Sequence, residues 1–473
     1  MTTVKTLAKN TTVLFIANII SYLLGFFTTL YAARYLGVEG FGVLSLALAF
    51  TGIFNVFTDL GLSTLTIREV SRNKSLANKY IGNTTVMKIF FAVLTLTLTF
   101  FTVKVLGYPQ STSTVIYLIT FSIIFGAFSG VFTSIFQAFE KMEYMSITII
   151  LNAVLMLAGV LTVIYYHLGV IAMASVYLVV SVIILISNLA IYSLKFFIPK
   201  IKIDWKFWKP TLKESLSFGL SNILIVIYFY IDSVMLSVMV GNSAVGIYNA
   251  AYKLIFVTLF IPGVFVISIF PIMSQHFESS KDSLKLEYEK SFKYLFALGI
   301  FIFMYGFIFA DKIISIIYGN GYTAAIFALQ VLIFVVPIIF ITNLFGNILG
   351  AVNRQRIMLI VTSANALFNI VLNLILIPEF SYIGSSVATV LTEGLGFILM
   401  FCYISKYFFK ISVTQNILKT VFVGIVVTLI MYCLKVNVNW VLAVILGLIM
   451  YLVSLYLTKV ITEEDMNILK EIF

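Results

Sequence analysis

Fourteen apolar stretches, each long enough to cross a bilayer, run almost end to end through these 473 residues. A hydrocarbon core is roughly 30 Å thick, and a helix rising about 1.5 Å per residue needs about 20 apolar residues to cross it. Fourteen such spans leave no room for a soluble domain. Backbone groups in lipid must pair internally, so the spans are helices and not open sheet. With 61% hydrophobic and 10% charged residues, the chain reads as an all-α polytopic membrane protein.

The spans fall at 11–33, 41–65, 80–103, 113–138, 145–166 and 169–194, then at 214–240, 246–274, 292–310, 323–350, 357–377, 383–405, 415–434 and 438–458. Basic residues test this count. With the N-terminus in the cytoplasm, 24 Lys and Arg lie in inside segments, from Lys5 and Lys9 to Lys459 and Lys470. Only Arg34, Lys104, Lys312 and Lys435 lie outside. That bias is the positive-inside rule, and an error of one span would scramble it. Both termini are expected in the cytoplasm. The net charge of +11 reports topology and attraction to anionic lipid heads, and it calls for no nucleic acid. Lys5 and Lys9 precede a run too long for a signal peptide, so an uncleaved first helix is expected. Cys402 and Cys433 have no metal-ligand spacing and read as packing residues.

An internal repeat divides the chain. Asn18 and Asn222, Gly37 and Gly241, and Gly42 and Gly246 match at one offset of 204 residues. Each pair of glycines falls in a tight turn between two spans, where positive φ or close backbone approach is allowed. Six spans per copy is an even number, so both copies enter the membrane from the same side. The expected architecture is two parallel six-helix lobes with a site between them near the midplane. The N-lobe is 1–195, an amphipathic cytoplasmic linker 196–213, the C-lobe 214–405, an appended hairpin 406–458 and a cytoplasmic tail 459–473. The linker carries Trp205, Phe207 and Trp208 among lysines, and the tail opens on Thr462 as a helix cap.

The stretch Tyr31-Ala32-Ala33-Arg34-Tyr35-Leu36-Gly37-Val38-Glu39-Gly40-Phe41-Gly42 resembles the first-turn signature of polysaccharide-biosynthesis flippases. These belong to the multidrug/oligosaccharidyl-lipid/polysaccharide exporter superfamily. Asp59-Leu60-Gly61-Leu62 with Ile67-Arg68 is similar to the same family's second-helix ending. The second lobe repeats the theme in Asp232-Ser233-Val234-Met235-Leu236, Val245-Gly246-Ile247-Tyr248 and Ala251-Tyr252-Lys253-Leu254. The resemblance covers residues 10–458 and implies alternating access that flips lipid-linked sugar units from the inner to the outer leaflet. It further implies a plasma-membrane location, and a polysaccharide polymerase or glycosyltransferases as neighbours of a monomer.

An ionisable side chain inside the membrane costs at least about 2.5–3.5 kcal/mol at a helix centre, so each invites a functional question. Lys253 lies about two turns into span 8, too deep for easy snorkelling. It either holds the diphosphate joining sugar to polyprenol or pairs with Asp232. Its position resembles that of a cavity arginine in the related lipid II flippases, although lysine lacks the bidentate fork. Lys88 either snorkels or meets the diphosphate on entry. Arg34 either anchors span 1 at the interface or guides release. Asp232, Glu393 and Asp59 are candidates for coupling to H⁺ or Na⁺, and equally for structural pairing. Asn18, Asn222, Asn152, Asn365, Asn369 and Asn373 offer amides on inner positions, suited to sugar hydroxyls or to helix–helix bonding. Pro262, Pro271 and Pro337 interrupt helices and offer bends.

An enzyme would need more than this chain holds. His167 and His276 stand alone, no phosphate-binding loop is present, and every outside loop is about a dozen residues or fewer. No metal or cofactor is expected. A cation-coupled multidrug exporter of the same superfamily is the rival reading, with a membrane glycosyltransferase or polymerase further off.

Overall fold

The computed structural model describes residues 3–196, 203–408, 414–463 and 465, without the side chains of 3–8, 217–218, 220–222, 278 and 414–416. Residues 197–202 of the expected linker and the tail beyond Asp465 lie outside the described residues. Among those described, every regular element is helical.

In chain order the helices are α1 (Thr3–Asp59), α2 (Leu62–Arg72), α3 (Ala77–Leu106), α4 (Gln110–Ala138), α5 (Met142–Tyr165), α6 (Val170–Lys195), α7 (Trp205–Met239) and α8 (Asn242–Thr258). There follow α9 (Phe260–Ser279), α10 (Lys281–Ile308), α11 (Ala310–Ile317), α12 (Ala325–Leu332), α13 (Val335–Ala351), α14 (Gln355–Tyr407), α15 (Thr414–Asn437) and α16 (Trp440–Leu457). Among the described residues ten helices are long and apolar enough to cross a membrane, or eleven if the pair α12 and α13, bent by 40°, counts as one. This is a multi-pass membrane protein. Two of the ten are far longer than one crossing needs: α1 has 57 residues and α14 has 53. Each is broken once, at Gly37 (φ 67°) and at Ser381 (φ 53°), where the backbone leaves helical geometry.

The ends of the helices follow from local chemistry. Asp204 accepts from the Lys206 N–H at 3.1 Å, and Asn439 accepts from the Val441 N–H at 2.9 Å, as N-caps do. Gly107 closes α3 in the left-handed conformation, with Pro109 just before α4. Helix breaks fall just ahead of two of the expected prolines, Pro262 and Pro337. Pro262 sits in the first turn of α9, where no backbone donor is required, and the chain breaks before it at Leu259. Pro337 likewise lies at the start of α13, just beyond the 40° bend that divides the expected span 10. Trp205–Lys213 forms the first turns of α7 itself. There Trp208 Nε1 donates to Asn83 at 3.0 Å and Phe207 meets Tyr80 edge to face.

The chain forms two compact units, residues 1–246 and 247–473. In the first, α4 packs along α6, and α1 packs along α5, α4 and α7. The matching turns of the repeat meet here reciprocally. A Cβ on Gly42 would lie 1.9 Å from the Asn242 carbonyl, and one on Gly246 would lie 2.0 Å from the Val38 carbonyl. Val38 and Asn242 are separated by the same 204 residues as the two glycines, so the two contacts are copies of each other. Gly37 and Gly241 both hold positive φ, as their places in the turns require.

In the second unit α10 packs against α13 and α15, and the hairpin α15–α16 is fastened along it. Met304, Val427, Met431 and Tyr451 share one apolar cluster. Tyr451 donates to the Ala297 carbonyl, and Tyr305 to the Val444 carbonyl, each at 2.7 Å. Lys435 pairs with Asp311 at 2.6 Å at one end. At the other, Asp465 accepts from Lys293 at 2.6 Å, from Tyr294, and from the Thr462 N–H at 2.8 Å. Cys402 and Cys433 are free thiols on exposed surface, so neither packs inside as expected. His276 Nδ1 lies 2.8 Å from Glu287.

Candidate functional site

The N-terminal unit holds a polar cavity that starts at a break in the chain. Leu60 (φ 44°) and Gly61 (φ 83°) separate α1 from α2. Asp59, the last residue of α1, stands at the N-terminus of α2, where peptide dipoles favour an anion. Its carboxylate accepts from Ser63 Oγ at 2.5 Å and from the Ser63 N–H at 3.2 Å. Lys88 reaches it from α3, Nζ to Oδ1 at 2.6 Å. The same ammonium donates to the Ala127 carbonyl of α4 at 2.8 Å and to Ser63 Oγ at 3.2 Å. Its side chain is 2% exposed, whereas Asp59 is 30% exposed. A buried ammonium is tolerable only when its charge is paired and its three N–H groups have acceptors, and here both conditions hold.

Beside this pair lies a cavity of about 460 Å³. Asn55, Thr58, Ser122, Ser181 and Asn152 turn polar atoms to its wall, with Ile123, Ala127 and Ile184 among them. Six helices contribute to it, α1 to α6. Among the sequence candidates it brings together Lys88, Asp59 and Asn152. Ser63, Ser122, Ser181 and the Ala127 carbonyl were not foreseen. The serines and Asn55 carry a signal, as small polar side chains within apolar spans, but a carbonyl leaves none.

A second polar assembly lies in the C-terminal unit, along the two arms of α14. Asn365, Asn369 and Asn373 are buried on one face of the first arm, at 7%, 1% and 0% exposure. Glycines on the second arm let the arms close. A Cβ on Gly384 would lie 2.3 Å from the Leu376 carbonyl, and one on Gly396 would lie 2.4 Å from Asn365 Nδ2. Asn373 donates to Asn369 at 3.0 Å, and Thr389 bonds the Tyr248 hydroxyl at 3.0 Å. Asn365 Oδ1, Asn369 Nδ2, Ser385 Oγ and Thr392 Oγ1 are buried with no hydrogen-bond partner among the described residues.

The remaining candidates lie apart. Asn18 is exposed and donates to the Leu14 carbonyl of its own helix at 2.9 Å. The Asn222 side chain lies outside the described residues. Arg34 is exposed one turn before the Gly37 break. Asp232 is 3% exposed within α7 of the first unit. Lys253 is half-buried in α8 of the second, beside Tyr252, whose ring stacks on Tyr248. Glu393 is half-buried next to Thr392. Among the described residues no three His, Cys, Asp or Glu gather as a metal site would require.

Residues 7–277, more than half of the chain, match the family model described as polysaccharide biosynthesis protein. The chain belongs to that family. A second model, MatE, matches residues 218–375 of this chain. Over 412 residues it is 26% identical to a probable low-salt glycan biosynthesis flippase of Haloferax volcanii, covering 85% of this chain and 84% of that one. A putative O-antigen transporter of Shigella flexneri is 25% identical over 308 residues, 62% of this chain and 72% of that one. Among solved structures, a lipid II flippase in an inward-closed conformation superposes with a TM-score of 0.78. That match has 16% identity and covers 93% of this chain and 97% of the other. An inward-facing multidrug resistance transporter of the MATE family gives 0.66 at 15% identity, over 82% and 95%. At such identities these two likenesses establish the fold and nothing more.

Proposed function

We propose that this protein moves polyprenyl-diphosphate-linked oligosaccharide from the inner to the outer leaflet for assembly into surface polysaccharide. The observation that carries this reading is the end-to-end relationship to a probable glycan flippase, within a family matched over residues 7–277. The chemistry inside the helices supports it, since hydroxyls, amides and a neutralised ion pair suit a sugar-bearing head group. The relatives named above are flippases and transporters, and this protein is a transporter rather than an enzyme.

In this reading the chain crosses the membrane fourteen times, with α1 and α14 each making two crossings, and both termini lie in the cytoplasm. Six-helix lobes 1–195 and 214–405, with the 406–458 hairpin appended, alternate between inward and outward access. Lys253 holds the diphosphate, and Arg34 meets it on release. Asn18, Asn222, Asn365 and Asn369 offer amides to the sugar. Asp232 or Glu393 couples transport to H⁺ or Na⁺. The protein works as a monomer in the plasma membrane, handing its cargo to a polymerase or glycosyltransferases. A cation-coupled exporter of small molecules is the second reading, favoured by the MatE match over residues 218–375.

Depleting the protein from its host cells tests the reading. Lipid-linked oligosaccharide should then accumulate out of reach of an impermeant glycan-oxidising reagent added outside, while surface polysaccharide falls. Cells that keep their surface polysaccharide but become sensitive to cationic drugs would move the assignment to the exporter.

A further inference from the structure

We propose that the cavity of the N-terminal unit is a glycan subsite that takes the uncharged sugar hydroxyls of the cargo, and that its diphosphate is held elsewhere. The inference rests on the flippase reading and adds to it a place and a chemistry for the sugar.

Charge decides against phosphate. Lys88 is the cation of this cavity, and its three N–H groups are already given to Asp59, Ser63 and the Ala127 carbonyl. A diphosphate could gain the ammonium only by displacing a carboxylate at 2.6 Å that also caps α2. The part of the pair that faces the opening is the acid, 30% exposed against 2% for the lysine. An anion entering the cavity therefore meets an anion first. A sugar meets acceptors for its hydroxyl protons, and a carboxylate is the strongest of them.

The lining fits the same ligand. Asn55 and Asn152 are exposed amides at the wall, able to donate and accept together, and Thr58, Ser122 and Ser181, which donate to the Asn55, Tyr177 and Leu178 carbonyls, keep oxygens that can accept from sugar hydroxyls. A volume of about 460 Å³ lies inside the range of roughly 300–1,000 Å³ usual for small-ligand pockets. A polyol can fill such a polar lining without adding charge. The room is real space at Gly126, where an added Cβ would meet nothing within 4 Å. At Gly130, one turn further on, it would meet Lys88 Nζ at 3.6 Å.

The test uses the purified full-length chain in nanodiscs and two ligands, polyprenyl diphosphate alone and polyprenyl diphosphate bearing its oligosaccharide. Wild type should bind the glycan-bearing lipid about tenfold tighter, the worth of one or two net hydrogen bonds. Gly126→Phe, which fills the cavity from α4, and Asn152→Leu, which removes an amide from α5, should each bring that ratio close to one. Gly126→Ala should keep it. An undiminished ratio in both Gly126→Phe and Asn152→Leu would overturn the subsite. So would loss of all binding in Gly126→Phe while Asn152→Leu keeps the ratio. Equal binding of both lipids by wild type would overturn the subsite and leave the flippase reading standing. Binding of neither lipid would overturn the flippase reading, and the subsite with it.

Discussion

In the N-terminal unit an ion pair lies among the helices with the ammonium's valences met, whereas in the C-terminal unit neutral amides lie as deep with several valences open. Lys88 is held by acceptors on three elements, α1, α2 and α4. Asn365 Oδ1 and Asn369 Nδ2 have no partner among the described residues. The difference follows from what each group costs. An unpaired charge in a medium of low dielectric is far more expensive than an unpaired amide, so the charge must be saturated and the amide can wait for a ligand or a water. Charge here fixes structure, whereas the neutral amides leave atoms open.

That contrast can be broken most directly at Lys88. Lys88→Met leaves Asp59 charged and half-enclosed, and should lower stability by about 3 kcal/mol, at the low end for a broken buried pair because Asp59 is partly exposed. Thermal unfolding in detergent, with Lys88→Met/Asp59→Leu as the paired control, reads it. A double variant no more stable than the single would show that the charge left behind is not the cause.

Gly42→Val should cost about 2 kcal/mol, since its Cβ would meet the Asn242 carbonyl carbon at 2.7 Å and backbone must move. Gly246→Val should cost a similar amount, because its contact is the copy of the first. Very different losses would show that the two contacts are not equivalent in energy.

A smaller effect belongs to the tail. Burial alone would raise the Asp465 carboxyl, but Lys293, the Thr462 N–H and Tyr294 outweigh it and hold the group at about 2. Since that lies below the ordinary 3.8, the clasp is fully present above the ordinary value and is lost as pH falls through about 2. The protection factor of the Thr462 N–H, which corrects for the intrinsic pH dependence of exchange, should therefore stay high at pH 5 and fall as pH approaches 2, and Asp465→Asn should abolish that fall. Exchange that is fast at pH 5 in wild type would break this account.

The smallest change is expected at Asn365. Asn365→Leu should shift stability by less than about 1 kcal/mol in either direction, because one of its valences is already open. A loss as large as that of Lys88→Met would mean that the amides hold the two arms of α14 together, and the contrast between the units would fail.

Much of the fold was legible because lipid leaves few options. Apolar runs of about 20 residues can only be helices, and Gly37 and Gly241 announced turns by their place in a repeat. The breaks were legible in place more than in form. Ser381 falls between the expected spans 357–377 and 383–405, though no glycine signals its positive φ, and the 40° bend lies just before Pro337, one of the prolines expected to offer bends. The cavity was half visible. Lys88 and Asp59 stood out as charges within spans, but their pairing joins different helices and could not be read from their spacing. Nor could the saturation of Lys88, which depends on a carbonyl and a serine that no pattern distinguishes.

The most direct test of the central claim is outward movement of polyprenyl-diphosphate oligosaccharide in proteoliposomes, comparing wild type with Lys253→Ala at matched incorporation. The account predicts transport by wild type well above protein-free liposomes, and a fall of about tenfold or more in the variant, where the diphosphate loses its cation. Transport undiminished in the variant would remove Lys253 from the site. Absence of transport by wild type across a panel of lipid-linked glycans would contradict the account itself.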